Sequence, residues 1–173
     1  MGRIISVANQ KGGVGKTTSA INLAAGLGKL NKKVLMVDVD PQGNATSGLG
    51  VNKRDIAVST YNLIIGDARI EDVLVTTGFK NLSLLPSNMN LAGVEIELVE
   101  MEERAHRLRQ ALAPVKDKFD YIFFDCPPSL GLITLNALTA SQGLLVPIQC
   151  EYYALEGLSQ LVSTVRQIKR HYN

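Results

Sequence analysis

Cysteine is scarce in this sequence. It occurs twice in 173 residues, as Cys126 and Cys150. Two are too few for a disulfide framework, and they follow no Cys-x-x-Cys spacing, so both read as reduced core thiols. Charge of one sign is also lacking. The 18 Lys and Arg against 16 Asp and Glu leave a formal +2. So small a surplus gives no bulk drive towards nucleic acid or membrane, and any such contact must come from a local patch. No apolar run approaches the roughly 18 residues of a membrane span. The N-terminus, Met1-Gly2-Arg3-Ile4-Ile5, enters a strand-like run at once. It shows no basic region followed by an apolar stretch and a cleavage site, so it does not read as a secretory signal. These absences point to the cytosol. Repeats and low-complexity segments are missing as well.

What is present is core material. Hydrophobic residues make up 46% and charged residues 20%. That balance excludes a disordered tail and a collagen-like chain. The length fits one domain, residues 1–173. Short β-rich runs alternate with longer helical patterns. Strands are expected at Arg3 to Asn9, Lys33 to Val39, Leu82 to Leu85, Tyr121 to Asp125 and Leu144 to Ile148. A helix is expected from Thr17 to Asn31, with Leu23, Leu27 and Leu30 as its apolar stripe. A last helix is expected from about Leu155 to Tyr172, with Leu158, Leu161, Val162, Val165 and Ile168 on one stripe. Residues 41–80 read as Gly and Asn turns, then short helical pieces at Tyr61 to Ile65 and Ile70 to Leu74. Residues 88–118 read as helical with a break near Glu100. Their segregated charges, Glu95 to Glu103 and Arg104 to Arg109, read as a solvated face. Strands alternating with helices imply a parallel sheet covered on both faces, and the nearly all-apolar strands fit a sheet buried on both sides.

The chemistry concentrates after the first strand, in Asn9-Gln10-Lys11-Gly12-Gly13-Val14-Gly15-Lys16-Thr17-Thr18. Glycines let successive N–H groups point into one concavity, and the helix N-terminus adds partial positive charge. A polyphosphate is the ligand that needs this arrangement. Lys16 can reach the β- and γ-phosphates, and the Thr17 hydroxyl can hold Mg²⁺. The usual phosphate-loop pattern puts a glycine where Gln10 stands; an extra cation, Lys11, follows it. The second strand ends in Asp38 and Asp40, at the edge where open α/β sheets bind ligands. One can serve the Mg²⁺ shell and the other can position an attacking water. The fourth strand ends in Phe123-Phe124-Asp125, a Walker-B-like signal, with Asp125 reaching Mg²⁺ through water.

The loop resembles the deviant phosphate loop, K-G-G-x-G-K-T-T, of the ParA/MinD group of P-loop ATPases. The segments NQKGGVGKTT, VDVDPQGNATSGLG, DCPPSLGLITLNALTAS and PIQCEYYALEGLSQL look like the ParA/Soj family of partitioning ATPases. That resemblance implies an α/β P-loop NTPase whose expected strands lie in the order 3-2-4-1-5. It places Asp40 and Asp125 beside the phosphate loop. It implies that Lys11, Gly12, Gly13, Val14, Gly15, Lys16, Thr17 and Thr18 bind ATP. Lys11 acts in trans on the partner's nucleotide, and Asp40 positions the hydrolytic water. Thr17 ligates Mg²⁺, while Asp38 and Asp125 support it. The implied partners are a second copy as an ATP-sandwiched homodimer, a ParB-type centromere-binding protein and non-specific DNA. The implied location is cytoplasmic and nucleoid-associated, without a membrane. Chains of that family run further, so this one is expected to be truncated. It would lack the family's C-terminal strands, much of the adenine pocket and the residues that grip DNA. Arg166, Lys169 and Arg170 remain as a local basic patch, read first as a solvated helix end.

Three rivals compete. A nitrogenase-iron-protein-like reductase needs two cysteine ligands per subunit near a dimer axis, and Cys126 and Cys150 do not match that placement. A MinD-like membrane-cycling ATPase needs a C-terminal amphipathic helix, and the Asp-Pro-Gln-Gly-Asn run favours the partitioning branch. A non-hydrolysing, nucleotide-gated interaction module differs only in degree.

Overall fold

The computed structural model describes residues 2–150 and 154–172. Among the described residues six strands form one sheet: β1 (Arg3–Val7), β2 (Val34–Asp38), β3 (Val75–Thr76), β4 (Leu82–Leu85), β5 (Tyr121–Asp125) and β6 (Gly143–Leu145). Their order is β3-β4-β2-β5-β1-β6. All pairs are parallel except β3 with β4. The five expected strands therefore lie in their expected order. β3 is an addition, a two-residue edge strand too short to show a period of its own.

Eight helices accompany the sheet among the described residues: α1 (Lys16–Lys29), α2 (Asn44–Gly48), α3 (Thr60–Ile65), α4 (Ile70–Val73), α5 (Val94–Glu97), α6 (Arg107–Leu112), α7 (Leu132–Ala140) and α8 (Ala154–His171). Strand alternation divides the core between the two faces. Val34, Met36 and Phe123 pack with Ala20 and Ala24 of α1 on one side. Leu35, Val37, Ile122 and Phe124 pack with α3, α4, α5, α6 and α7 on the other. That two-sided burial is why β2 is apolar at four successive positions before Asp38.

The stripe expected on α1 is corrected in part: Leu27 packs against the core, but Leu23 is 44% and Leu30 71% exposed. The buried face is instead Lys16, Ala20, Ala24 and Gly28. Small residues bring the helix close to the sheet; at Gly28 a Cβ would collide with the Lys80 carbonyl. On α8, Leu161 and Ile168 are buried but Val162 is exposed. Glu151, Tyr152 and Tyr153 of the fourth motif lie outside the described residues. The expected strand over Leu144 to Ile148 begins at Gly143 and stops at Leu145. Pro147 has no N–H for a ladder, and its carbonyl is taken by Asn9 Nδ2 at 2.8 Å.

Residues 41–60 hold more order than turns. α2 follows Gly43, whose φ is +60°. Its first turn is tied to β2, because Asp38 Oδ2 accepts from Thr46 N at 2.8 Å. α3 opens on a capping box of Ser59 and Asn62 and ends at Gly66 with φ +91°. Residues 89–100 form short helical pieces, and the break falls over 101–106 before α6. The charged runs there are not merely solvated. Arg107 Nε donates to Ile64 O at 2.9 Å and closes the end of α3. Glu95 accepts from the start of α7. Cys126 is buried as expected, whereas Cys150 is exposed.

Candidate functional site

The C-terminal ends of β1, β2 and β5 meet at one edge. Val7 lies opposite Asp125, and Asp125 opposite Asp38. The glycine-rich loop leaves β1 at this edge and enters α1. Asn9 shapes it from both sides: Nδ2 holds Pro147 O, and Oδ1 accepts from Lys11 N at 3.1 Å. Gly13 and Gly15 take φ of +75° and +86°, a conformation that side chains with a Cβ resist. Around Gly12, Gly13 and Gly15 a Cβ would meet nothing within 4 Å, so the loop borders open space. α1 begins with no side-chain cap and no acid in its first turn. Its first N–H groups and the positive end of its dipole face the loop. Val14 anchors the loop in the core.

Lys16 is 8% exposed, and its ammonium donates to Lys11 O at 3.1 Å. Lys11 itself is half-buried in the loop. Thr17 Oγ1 donates to Asp125 Oδ2 at 2.7 Å. The other oxygen, Asp125 Oδ1, is buried with no protein partner. Asp125 is pushed up to about 7, first by burial and then by the charges of Asp38 and Asp40; the Thr17 hydrogen bond and Lys16 oppose this. A buried carboxylate with an orphaned oxygen beside a threonine hydroxyl is a donor pair that a hard divalent cation satisfies.

Asp38 is fully buried and its oxygens are engaged. Oδ1 accepts from Asp40 N at 3.1 Å; Oδ2 accepts from Thr46 N at 2.8 Å and Thr46 Oγ1 at 2.7 Å. Burial raises it to about 6 despite those bonds. Its observed work is to hold the loop that carries Asp40. Asp40 is 8% exposed. Its Oδ1 accepts from Gln42 N at 2.9 Å, and its carbonyl from Ser87 Oγ at 2.8 Å. Ser87 N in turn donates to Thr46 Oγ1 at 2.9 Å. The fold thus gathers every expected site residue, Lys11 to Thr18, Asp38, Asp40 and Asp125, at one sheet edge. Sequence reasoning missed Thr46 and Ser87, which brace the Asp40 loop. It also missed Gln149, whose Nε2 reaches Gly13 O at 3.2 Å. VDVDPQGNATSGLG contains Thr46, but no spacing rule says that a strand aspartate caps the next helix.

Comparisons with known proteins agree with this geometry. The AAA domain family matches residues 2–173. The sporulation initiation inhibitor protein Soj of Bacillus subtilis is 56% identical over all of this chain, which covers 68% of Soj. The crystal structure of cobyrinic acid a,c-diamide synthase from Mycobacterium smegmatis with bound ADP and magnesium superposes with a TM-score of 0.96 at 42% identity. This chain is covered fully, and 70% of that one. A plasmid partition protein from Borrelia burgdorferi bound to AMPPNP superposes at 0.87 with 34% identity, covering 98% of this chain and 70% of that one. The chain spans about two thirds of the length of the relatives it matches. With its glycine-rich strand-to-helix turn and its likeness to Soj along its whole length, the chain belongs to the ParA/Soj family of P-loop proteins.

Proposed function

We propose that this chain carries the nucleotide site of a Mg²⁺-dependent partitioning ATPase. The observation that bears most weight is the Thr17–Asp125 pair with its orphaned Oδ1, set beside an uncapped helix start and an open glycine loop. That edge offers donors to a polyphosphate and oxygens to a divalent cation. The crystal relatives with ADP and magnesium, and with AMPPNP, support the same ligand class. Identity favours the Soj branch, at 56%, over the synthase, at 42%.

The backbone N–H groups of Gly12 to Thr18 donate to the phosphates. Lys16 leaves the Lys11 carbonyl and donates to the β- and γ-phosphates, a charge-assisted contact stronger than a neutral hydrogen bond. Thr17 Oγ1 and Asp125 hold Mg²⁺, which supplies charge neutralisation on the phosphate oxygens. A cation at Oδ1 is the partner that keeps Asp125 ionised near neutral pH against its burial. Asp38 serves indirectly, by fixing the Asp40 loop through Thr46. Asp40 orients the attacking water. Lys11 reaches a second copy's nucleotide and stabilises developing charge there, as an arginine finger does. The ATP-bound homodimer, its DNA and ParB-type partners and its place on the nucleoid follow from the family reading alone. Among the described residues no helix is long and apolar enough to cross a membrane.

Steady-state phosphate release with MgATP tests the proposal. Asp40→Ala should keep nucleotide binding and lose turnover, since the cradle stays and the water loses its acceptor. Parental hydrolysis in that variant would sink the assignment.

A further inference from the structure

Helix α7 follows the loop that leaves Asp125, residues 126–131. Its N-cap residue is Gly131, which has no side chain to close it. The closure comes from a residue distant in sequence. Glu95 Oε2 accepts from Leu132 N at 2.9 Å and Glu95 Oε1 from Ile133 N at 3.3 Å. One carboxylate therefore takes both leading N–H groups of a helix whose dipole favours a negative charge there.

Gly131 is the other half of the arrangement. Its φ and ψ, −78° and −169°, are open to any residue. What a larger residue would meet there is the carboxylate: a Cβ on Gly131 would stand 2.7 Å from Glu95 Cδ, so the flexible end of Glu95 would have to move aside. Thr134 then returns a bond to the loop, from its Oγ1 to Ser129 O at 2.7 Å. Further along, Asn136 Nδ2 donates to Arg104 O and Thr139 Oγ1 to Ala105 O. The later turns of α7 are thus pinned independently of Glu95.

Glu95 is itself held from the Asp40 side. Ser87 bonds to Asp40 O and Thr46, and Leu91, Val94 and Leu98 are fully buried. The stretch from Ser87 to Glu95 is a braced strut. One end grips the loop carrying Asp40, and the other grips the helix start that ends the loop after Asp125.

We propose that Glu95 is a positioning residue: its carboxylate fixes the first turn of α7 and so couples the loop after Asp125 to the loop of Asp40. The consequence for turnover rests on the ATPase reading above; the structural coupling does not. Gly131→Ala would push the carboxylate off the helix start and should reproduce Glu95→Ala.

Four variants of the chain decide it: Glu95→Ala, Glu95→Gln, Gly131→Ala and the double Glu95→Ala/Gly131→Ala. Amide hydrogen exchange over residues 126–133 should quicken several-fold and equally in both alanine variants and in the double, with exchange over residues 136–140 unchanged. Glu95→Gln, with one acceptor oxygen left, should fall between. Nucleotide affinity should move by less than about threefold. Turnover at saturating MgATP should drop about tenfold or more, since small misplacements around reacting groups are costly. The double should be no worse than either single. Additive losses, or parental exchange over 126–133 in Glu95→Ala, would overturn the coupling. Altered exchange with parental turnover would overturn its catalytic consequence. If the parent fails to bind MgATP, the proposed function fails, and the exchange pattern still judges Glu95.

Discussion

Thr46→Val should destabilise the chain well beyond its size change. Thr46 is fully buried between the two parts of the Asp40 brace. Its hydroxyl donates to Asp38 Oδ2 at 2.7 Å and accepts from Ser87 N at 2.9 Å. Valine fills the same space without either bond. Orphaning the Ser87 N–H costs about 1–3 kcal/mol, and losing a bond to an ionised carboxylate about 1.5–3 kcal/mol. Burying one more methyl returns about 1 kcal/mol. The net loss is about 1.5–5 kcal/mol, against a typical domain stability of about 5–15 kcal/mol. The variant should therefore fold, with a midpoint lower by about 10 °C at the usual scaling for a chain of this size. Thr46→Ser keeps the hydroxyl and should cost only about 1 kcal/mol for its lost methyl. Urea denaturation of the three proteins, read by far-ultraviolet circular dichroism, measures this. If valine sits within 1 kcal/mol of the parent, or serine is worse than valine, the hydroxyl is not the joint described.

Both buried aspartates hold protons longer in the fold than in the unfolded chain: Asp38 to about 6 and Asp125 to about 7, from 3.8. The folded state binds more protons between these values, so nucleotide-free stability should fall as pH rises from about 4 to about 7, on the order of 3 kcal/mol from Asp38 alone. Urea midpoints across that range check the slope; Asp125→Asn should flatten its upper half, and a flat parental profile would contradict the burial described. Lys11→Ala should bind MgATP yet fail to form an ATP-dependent dimer, which sizing chromatography with ATP reads; a normal dimer would return Lys11 to a loop lysine. Among the described residues strand β6 pairs only with β1 and carries Leu144 and Leu145 at the sheet edge, which invites pairing with another chain. Light scattering without nucleotide should show self-association rising with concentration, and a monomer throughout would count against that edge.

Much of the site was legible because its signals are local. A glycine run between an apolar strand and a helix pattern, and carboxylates at strand ends, need no distant partner to be seen. What escaped depends on contacts across the fold. The leucines of α1 suggested a stripe, but Ala20, Ala24 and Gly28 face the sheet, because only small residues allow the close approach at Lys80. α2 was hidden because part of its closure comes from Asp38, on the preceding strand. Glu95 and Arg107 lay in charged runs that resemble solvent-facing helix; each instead closes the end of another helix more than 35 residues away. Composition carries no trace of such long-range caps. The apolar run to Ile148 suggested a longer strand, but β6 ends at Leu145, before Pro147, whose carbonyl goes to Asn9 of the glycine loop.

If the edge formed by the glycine loop, Thr17 and Asp125 is the nucleotide site, the chain binds a magnesium–nucleotide complex there. Isothermal titration of the chain with ATP, with and without Mg²⁺, tests it most directly when run beside Lys16→Ala. The parent should show saturable one-site binding that strengthens with Mg²⁺ and is lost in Lys16→Ala while the variant remains folded. Binding that ignores both Mg²⁺ and the loss of Lys16, or no binding by the parent, would contradict it.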